Sequence, residues 1–215
     1  DSPLVSEVVF QKDVVSVLTS WTNALRTIGL GLIIILSLVS IFIMVIIIGV
    51  KISQKKEDIE IAAFFTATIS WGNRKSILVS ANRLMEYMDQ SPFEFVMNAK
   101  KSDFKSWKPS IHRTFMKEDV VFFVEALRRI YVEEGGMERV FSDGFSSGSS
   151  KEGIEYFRNI FVGNEVHRAL KHVASPEKNS TAKRINMFLR WMVRSDKREV
   201  DFGLWKGISP AQLSI

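Results

Sequence analysis

The sequence predicts a mainly α protein: one transmembrane helix followed by an incomplete helical domain. Three observations carry that expectation. Residues 27–50, TIGLGLIIILSLVSIFIMVIIIGV, hold 24 positions without a charge. From Asp58 onward, apolar residues recur at helical spacing, with Gly and Pro marking the breaks. No parallel-sheet alternation and no internal repeat is present.

The apolar run comes first in the argument. As a helix it reaches roughly 36 Å, enough to cross a hydrocarbon core with some tilt. A strand of that length leaves backbone groups unpaired in lipid, whereas a helix satisfies its own. A signal peptide has a shorter apolar stretch, nearer the start, behind a basic flank. A buried core helix is the other alternative. Residues 1–26 then form an extracytoplasmic tail, 27–50 the transmembrane helix, 51–61 a junction and 62–215 a truncated helical domain. The tail carries a net charge of −1, while Lys51, Lys55 and Lys56 follow the span closely. The positive-inside tendency puts the C-terminal part in the cytoplasm, on a single-pass protein of the inner membrane. The lipid bilayer is therefore an expected partner.

Beyond the junction, IEIAAFFTATISW predicts a mostly buried helix ending at Gly72-Asn73, with a strand still open because β-branched and aromatic residues are frequent. KSILVSANRLMEYMD sets Ile77, Leu78, Ala81, Leu84, Met85 and Met88 on one helix face. Ser91-Pro92 opens a short helix, and the Lys- and Ser-rich KKSDFKSWKPS reads as a loop. KEDVVFFVEALRRIYVEEGG starts with two acids that suit the helix dipole and stops at glycine. SSGSS reads as a connector, KEGIEYFRNIF as an amphipathic segment, and STAKRINMFLRWMVR as the last long helix. Ser209-Pro210 announces a helix that has barely begun, and the chain starts at Asp1, so both ends read as cut.

Several function classes find no support. The segment GMERVFSDGFSSG lacks the Gly-Lys-Ser/Thr of a nucleotide loop. Gly144-Phe145-Ser146-Ser147-Gly148 fits Gly-x-Ser-x-Gly by letter, but no hydrophobic strand precedes it as a nucleophile elbow requires, and there is no cysteine. His112, His167 and His172 lack ligand spacing, so no metal site and no cofactor is expected, and the three imidazoles read as surface or packing groups. Of the chain's net +5, the part after residue 50 carries +6, because the tail carries −1 and the span none.

That charge is patterned in the last long helix. At about 100° per residue, Lys183, Arg190, Arg194 and, if the helix continues, Lys197 share one face. Ile185, Phe188 and Met192 lie opposite, and Trp191 flanks the basic stripe. Together with Arg184 these cations form a candidate surface for a nucleic-acid backbone. The alternative is an ordinary solvated helix face.

Two resemblances bear on the joint between span and domain. Residues 1–61, through PLVSEVVFQKD, the span and KISQKKEDIEI, resemble the end of the extracytoplasmic domain and a transmembrane helix of the FtsX-type cell-division ABC permease. That resemblance implies partner contact beside an ABC ATPase. The family's following Met-x-Leu-x-Gly-Ala-Thr is absent, and Ala62-Ala63-Phe64 stands there instead. Residues 55–215, through KKEDIEIAAFFTATISWGNRKSI, HRTFMKEDVVFFVEALRRIY and NSTAKRINMFLRWMVRSDKREVDFGLWKGISPAQL, resemble an uncharacterised bacterial family. It is similar to helix-hairpin-helix DNA glycosylases of the endonuclease III type. The resemblance implies a DNA-directed domain of unknown substrate, with Lys183 as a candidate catalytic amine beside the plain alternative of a surface lysine. In that family the chain runs on to an Asp-Thr-His segment, which this sequence does not contain, so the expectation leans against catalysis. The two resemblances overlap at KKEDIEI, which predicts a hybrid or fragment chain changing identity there.

Overall fold

The computed structural model describes residues 3–146, 148–195 and 201–213, with side chains described in 16–23, 25–45 and from 55 onward. It is mainly helical, and it divides into two compact units, Asp1–Ile52 and Ser53–Ile215. Helix α1 (Pro3–Thr68) supplies residues to both.

In the first unit, Ser16–Val45 forms a helical stretch of 30 residues that is long and apolar enough to cross a membrane. None of its most apolar window is buried. Its hydroxyls turn back onto the helix: Thr27 Oγ1 donates to Asn23 O at 2.9 Å and Ser37 Oγ to Ile33 O at 2.8 Å. Such bonds satisfy polar side chains without water.

The second unit is built round the end of α1. Ile61, Phe64, Phe65 and Ile69 are buried, so the apolar run after the junction is a core helix and not a strand. The Phe64 ring lies 5.4–5.8 Å from those of Phe123, Phe157, Phe161 and Phe188. Burying each such ring contributes about 1.5–3 kcal/mol, more than ring geometry adds, so transfer from water dominates here. Gly72, at φ +96°, breaks the chain, and Asn73 accepts from Lys75 N to cap α2 (Arg74–Tyr87). Ala81, Leu84 and Met88 of the expected face are buried, but Leu78 is half exposed, and Ser80 takes a buried place instead.

Helix α3 (Pro92–Asn98) follows, with Pro92 at its start. The Lys-rich loop after it is pinned by two buried aromatics: Trp107 stacks on Tyr87 at 4.6 Å and Phe104 meets Phe95 at 5.5 Å. Then β1 (Ser110–His112) pairs antiparallel with β2 (Phe115–Met116), a hairpin the sequence pattern did not reveal. Helix α4 (Lys117–Glu133) carries Val120, Phe123, Leu127 and Ile130 into the core. Helix α5 (Met137–Phe145) occupies the stretch read only as a failed phosphate loop. Ser149 caps α6 (Ser150–Val162), accepting from Glu152 N, so the serine-rich connector also starts a helix. After two short 3-10 turns at Arg168–His172 and Pro176–Lys178 comes α7 (Lys183–Val193). A last turn, Pro210–Gln212, is capped by Ser209, as its sequence implied.

Candidate functional site

The last long helix predicted from periodicity is α7, and its inner face holds Phe188, Leu189, Met192 and Val193. Its entry is unusual. Asn179 and Ala182 both adopt left-handed backbone, at φ +61° and +49°. Asn adopts that region readily, but Ala does not, so at Ala182 the turn into α7 is held by its surroundings rather than by local preference. Ala182 has no oxygen with which to cap, so no side chain at that position takes the first N–H groups of the helix.

Beside this entry lies a cavity of about 590 Å³. Phe64, Ile154, Phe157, Leu170 and Ile185 give it apolar walls, drawn from α1, α6, the first 3-10 turn and α7. Lys171, Lys178 and Lys183 line it too, and all three are exposed. The side chain of Arg158, also in the lining, is only 13% exposed. The described lining contains no carboxylate. Apolar depth and a cationic mouth suit a ligand that is flat and apolar at one end and anionic at the other.

The predicted cations separate into two groups. Lys183 stands at the first position of α7, exposed at the cavity. Arg184 turns inward: its Nη1 donates to Thr68 O at 2.6 Å, and its guanidinium lies 5.0 Å from the Trp71 ring centre. Burial pulls its pKa below the usual arginine value. Arg190 and Arg194 sit beside buried Asp201 instead, with Nε–Oδ2 distances of 3.1 and 4.0 Å. One carboxylate thus offsets part of the stripe. Lys197 lies outside the described residues. Trp191, the flanking aromatic, is partly buried, and its carbonyl accepts from Phe202 N at 2.7 Å.

Arg158, Lys171 and Lys178 were not singled out from sequence. They come from different elements, and no single periodicity joins them.

The three histidines pack. His112 bridges Ser80 Oγ and Trp71 O, each at 3.0 Å. His167 stacks on Phe122 at 4.7 Å and its Nδ1 accepts from Ala169 N. His172 stacks on Trp71, with Nε2 3.5 Å from Asp119 Oδ2. Burial lowers the His172 pKa, and Asp119 opposes that shift.

Comparison with known proteins returns no match among curated proteins and none among solved structures. A family model described as "Protein of unknown function (DUF2400)" matches residues 47–215. The matched region takes in all of 51–61, so that stretch belongs to the family's own pattern. Within it, Glu60 is buried in the second unit and bonded to Tyr131 and Trp205.

Proposed function

We propose, from the premise that this chain belongs to the DUF2400 family, that it binds nucleic acid and receives one extruded nucleotide in the cavity at the start of α7. The carrying observation is the cavity itself, with lysines at its mouth and aromatic and aliphatic walls behind them. Phosphates are attracted by Lys171, Lys178 and Lys183, and a base stripped of its stack finds apolar walls. The described lining offers lysine amines, Lys183 among them, and no carboxylate, so the reading is one of binding. The glycosylase resemblance agrees with this reading, and base excision is not part of it.

The test is a salt titration of oligonucleotide binding by the full chain held in nanodiscs of zwitterionic lipid. Affinity is expected to fall steeply with salt. Lys178→Ala and Lys183→Ala are each expected to reduce the log–log slope by about 0.7–0.9. An unchanged slope in both variants refutes the reading.

A second element concerns the membrane. The helical stretch Ser16–Val45 exposes its described large apolar side chains, which supports a single-pass anchor in the inner membrane with the C-terminal part cytoplasmic. A permease-like fragment acting through membrane and ABC-ATPase contacts is the second reading, and it too requires that stretch to lie in the bilayer. The chain has no cysteine, so one introduced as Asn82→Cys is a unique reporter. It is expected to react with a membrane-impermeant maleimide only after the cells are opened. Recovery of the chain in the soluble fraction without detergent refutes the anchor.

A further inference from the structure

Arg158 is a largely buried cation of the cavity lining, and the described residues leave it incompletely paired. Its side chain is 13% exposed, while Lys171, Lys178 and Lys183 at the same cavity are exposed. Its Nη1 lies 3.7 Å from Glu155 Oε1, an ion pair too long for a hydrogen bond. Its Nε is shut off from solvent with no hydrogen-bond partner. Glu155 is engaged elsewhere: Ser175 Oγ meets its two oxygens at 3.0 and 3.1 Å, and Glu177 N donates to Oε2 at 3.3 Å. Glu155 therefore anchors the Pro176 turn and compensates the charge of Arg158 without satisfying its donors. Nε is closed to a ligand as it is to water, so the donors that a ligand in the cavity can meet are the two Nη groups, which make no hydrogen bond among the described residues, and a ligand that supplies acceptors there gains charge-assisted bonds.

A guanidinium carries donors only, in a planar fork. It accepts no hydrogen bond, so it favours a base edge that shows acceptors and disfavours one that shows an amino group. Guanine shows two adjacent acceptors, O6 and N7, whereas adenine shows N7 beside an amino donor. We propose that Arg158 reads the base placed in this cavity and selects a purine with a carbonyl at position 6 over one with an amino group. This rests on the cavity being a nucleotide site. The lysines at the mouth hold the phosphates without regard to sequence, and the arginine behind them supplies the discrimination.

The experiment uses the full chain in zwitterionic nanodiscs and three single-stranded oligonucleotides of equal length. Each is a run of abasic sites with one central guanine, one central adenine, or no base. The wild type is expected to bind the guanine probe about tenfold more tightly than either other probe. Arg158→Met is expected to bind the guanine and adenine probes equally, and to bind guanine more weakly than the wild type does. Arg158→Lys keeps the charge beside Glu155 but loses the planar fork. It covers the case in which the methionine variant does not fold, and it is also expected to lose the preference. Equal affinity of the wild type for the guanine and adenine probes, both above the abasic probe, overturns the role of Arg158 and leaves the nucleotide cavity standing, whereas equal affinity for all three overturns both. A guanine preference that survives in Arg158→Lys also overturns the role of Arg158. Absence of binding to any probe at low salt overturns the nucleotide cavity itself, and this inference with it.

Discussion

Trp205 donates its indole N–H to Glu60 Oε1 at 2.7 Å, joining residues 145 positions apart in the chain. Tyr131 donates its hydroxyl to the other oxygen, Oε2, at 2.8 Å. Glu60 is buried, and Lys56 Nζ lies 3.8 Å away while hydrogen bonding to Glu138. One carboxylate therefore ties the core end of α1 to α4 and to the C-terminal segment. Glu60→Ala leaves two buried donors without acceptors, each costing about 1–3 kcal/mol. A loss of about 2–4 kcal/mol is expected, seen as a lower denaturant midpoint. Glu60→Gln keeps an acceptor and is expected to lose less.

Opposite pH dependences meet at this cluster. Burial raises the Glu60 pKa, and the bonds from Trp205 and Tyr131 and the charge of Lys56 only partly oppose it. A carboxyl raised in the folded state contributes stability that is full below its unfolded value, about 4.3, and is lost as pH rises through the folded value. Glu138 behaves the other way. Burial acts to raise its pKa, but Lys56 and the amides of Gly207 and Lys206 outweigh burial and hold it low. Its contribution is present above the unfolded value and lost as pH falls through the folded one. Glu60→Gln is therefore expected to flatten the decline in stability above about pH 4.3, on the alkaline side. The protection of the Lys206 and Gly207 amides, bonded to Glu138 Oε1 at 2.6 and 3.1 Å, against hydrogen exchange is expected to fall, relative to the intrinsic rate, as pH drops through the depressed Glu138 pKa. If these amides stay protected below the depressed pKa, Glu138 does not hold the segment.

Helices α5 and α6 meet at Gly153. A β-carbon built there falls 2.5 Å from Cδ2 of the buried Phe145 ring. Alanine improves helix propensity by about 1 kcal/mol, but overpacking against a buried ring costs about 1–3 kcal/mol. Packing is expected to win, so Gly153→Ala lowers the midpoint of thermal unfolding. A second substitution, Phe145→Leu, is expected to recover part of the loss by making room. A more stable Gly153→Ala means that the two helices part easily.

The elements most legible in the sequence were those with a long, one-sided apolar pattern. α4 and α7 declare their inner faces through Phe123, Leu127, Phe188 and Met192. α5 held the same information in Met137, Val140, Phe141 and Phe145, but its Gly, Ser and Asp residues drew attention to a loop. The hairpin at 110–116 is too short for alternation to register, with two strands of three and two residues. Phe104 and Trp107 were hidden in a Lys-rich stretch, because composition describes the exposed majority and not the two side chains that pin it. The cavity was least legible. Lys183 was noticed for the stripe on its own helix, whereas Arg158 and Lys178 join it only through tertiary packing. Arg190 and Arg194 do share a face, but periodicity within α7 says nothing of Asp201, which arrives from beyond the helix to meet them.

Asp201 makes the last test. Its side chain is fully buried, Oδ2 faces both arginines, and Oδ1 has no hydrogen-bond partner. Arg190 and Arg194 remain 43% and 42% exposed, so their outer edges reach solvent while their charge is partly offset. Asp201→Asn keeps the shape and an acceptor for Arg190 Nε and removes the negative charge. If the α7 face contributes to phosphate binding, affinity for an oligonucleotide at low salt is expected to rise about three- to tenfold. The salt slope is expected to steepen by up to about one unit for each arginine released. If this face takes no part, Asp201→Asn leaves both quantities unchanged while Lys178→Ala and Lys183→Ala still lower them. The cavity mouth would then carry the phosphate contacts without Arg190 and Arg194.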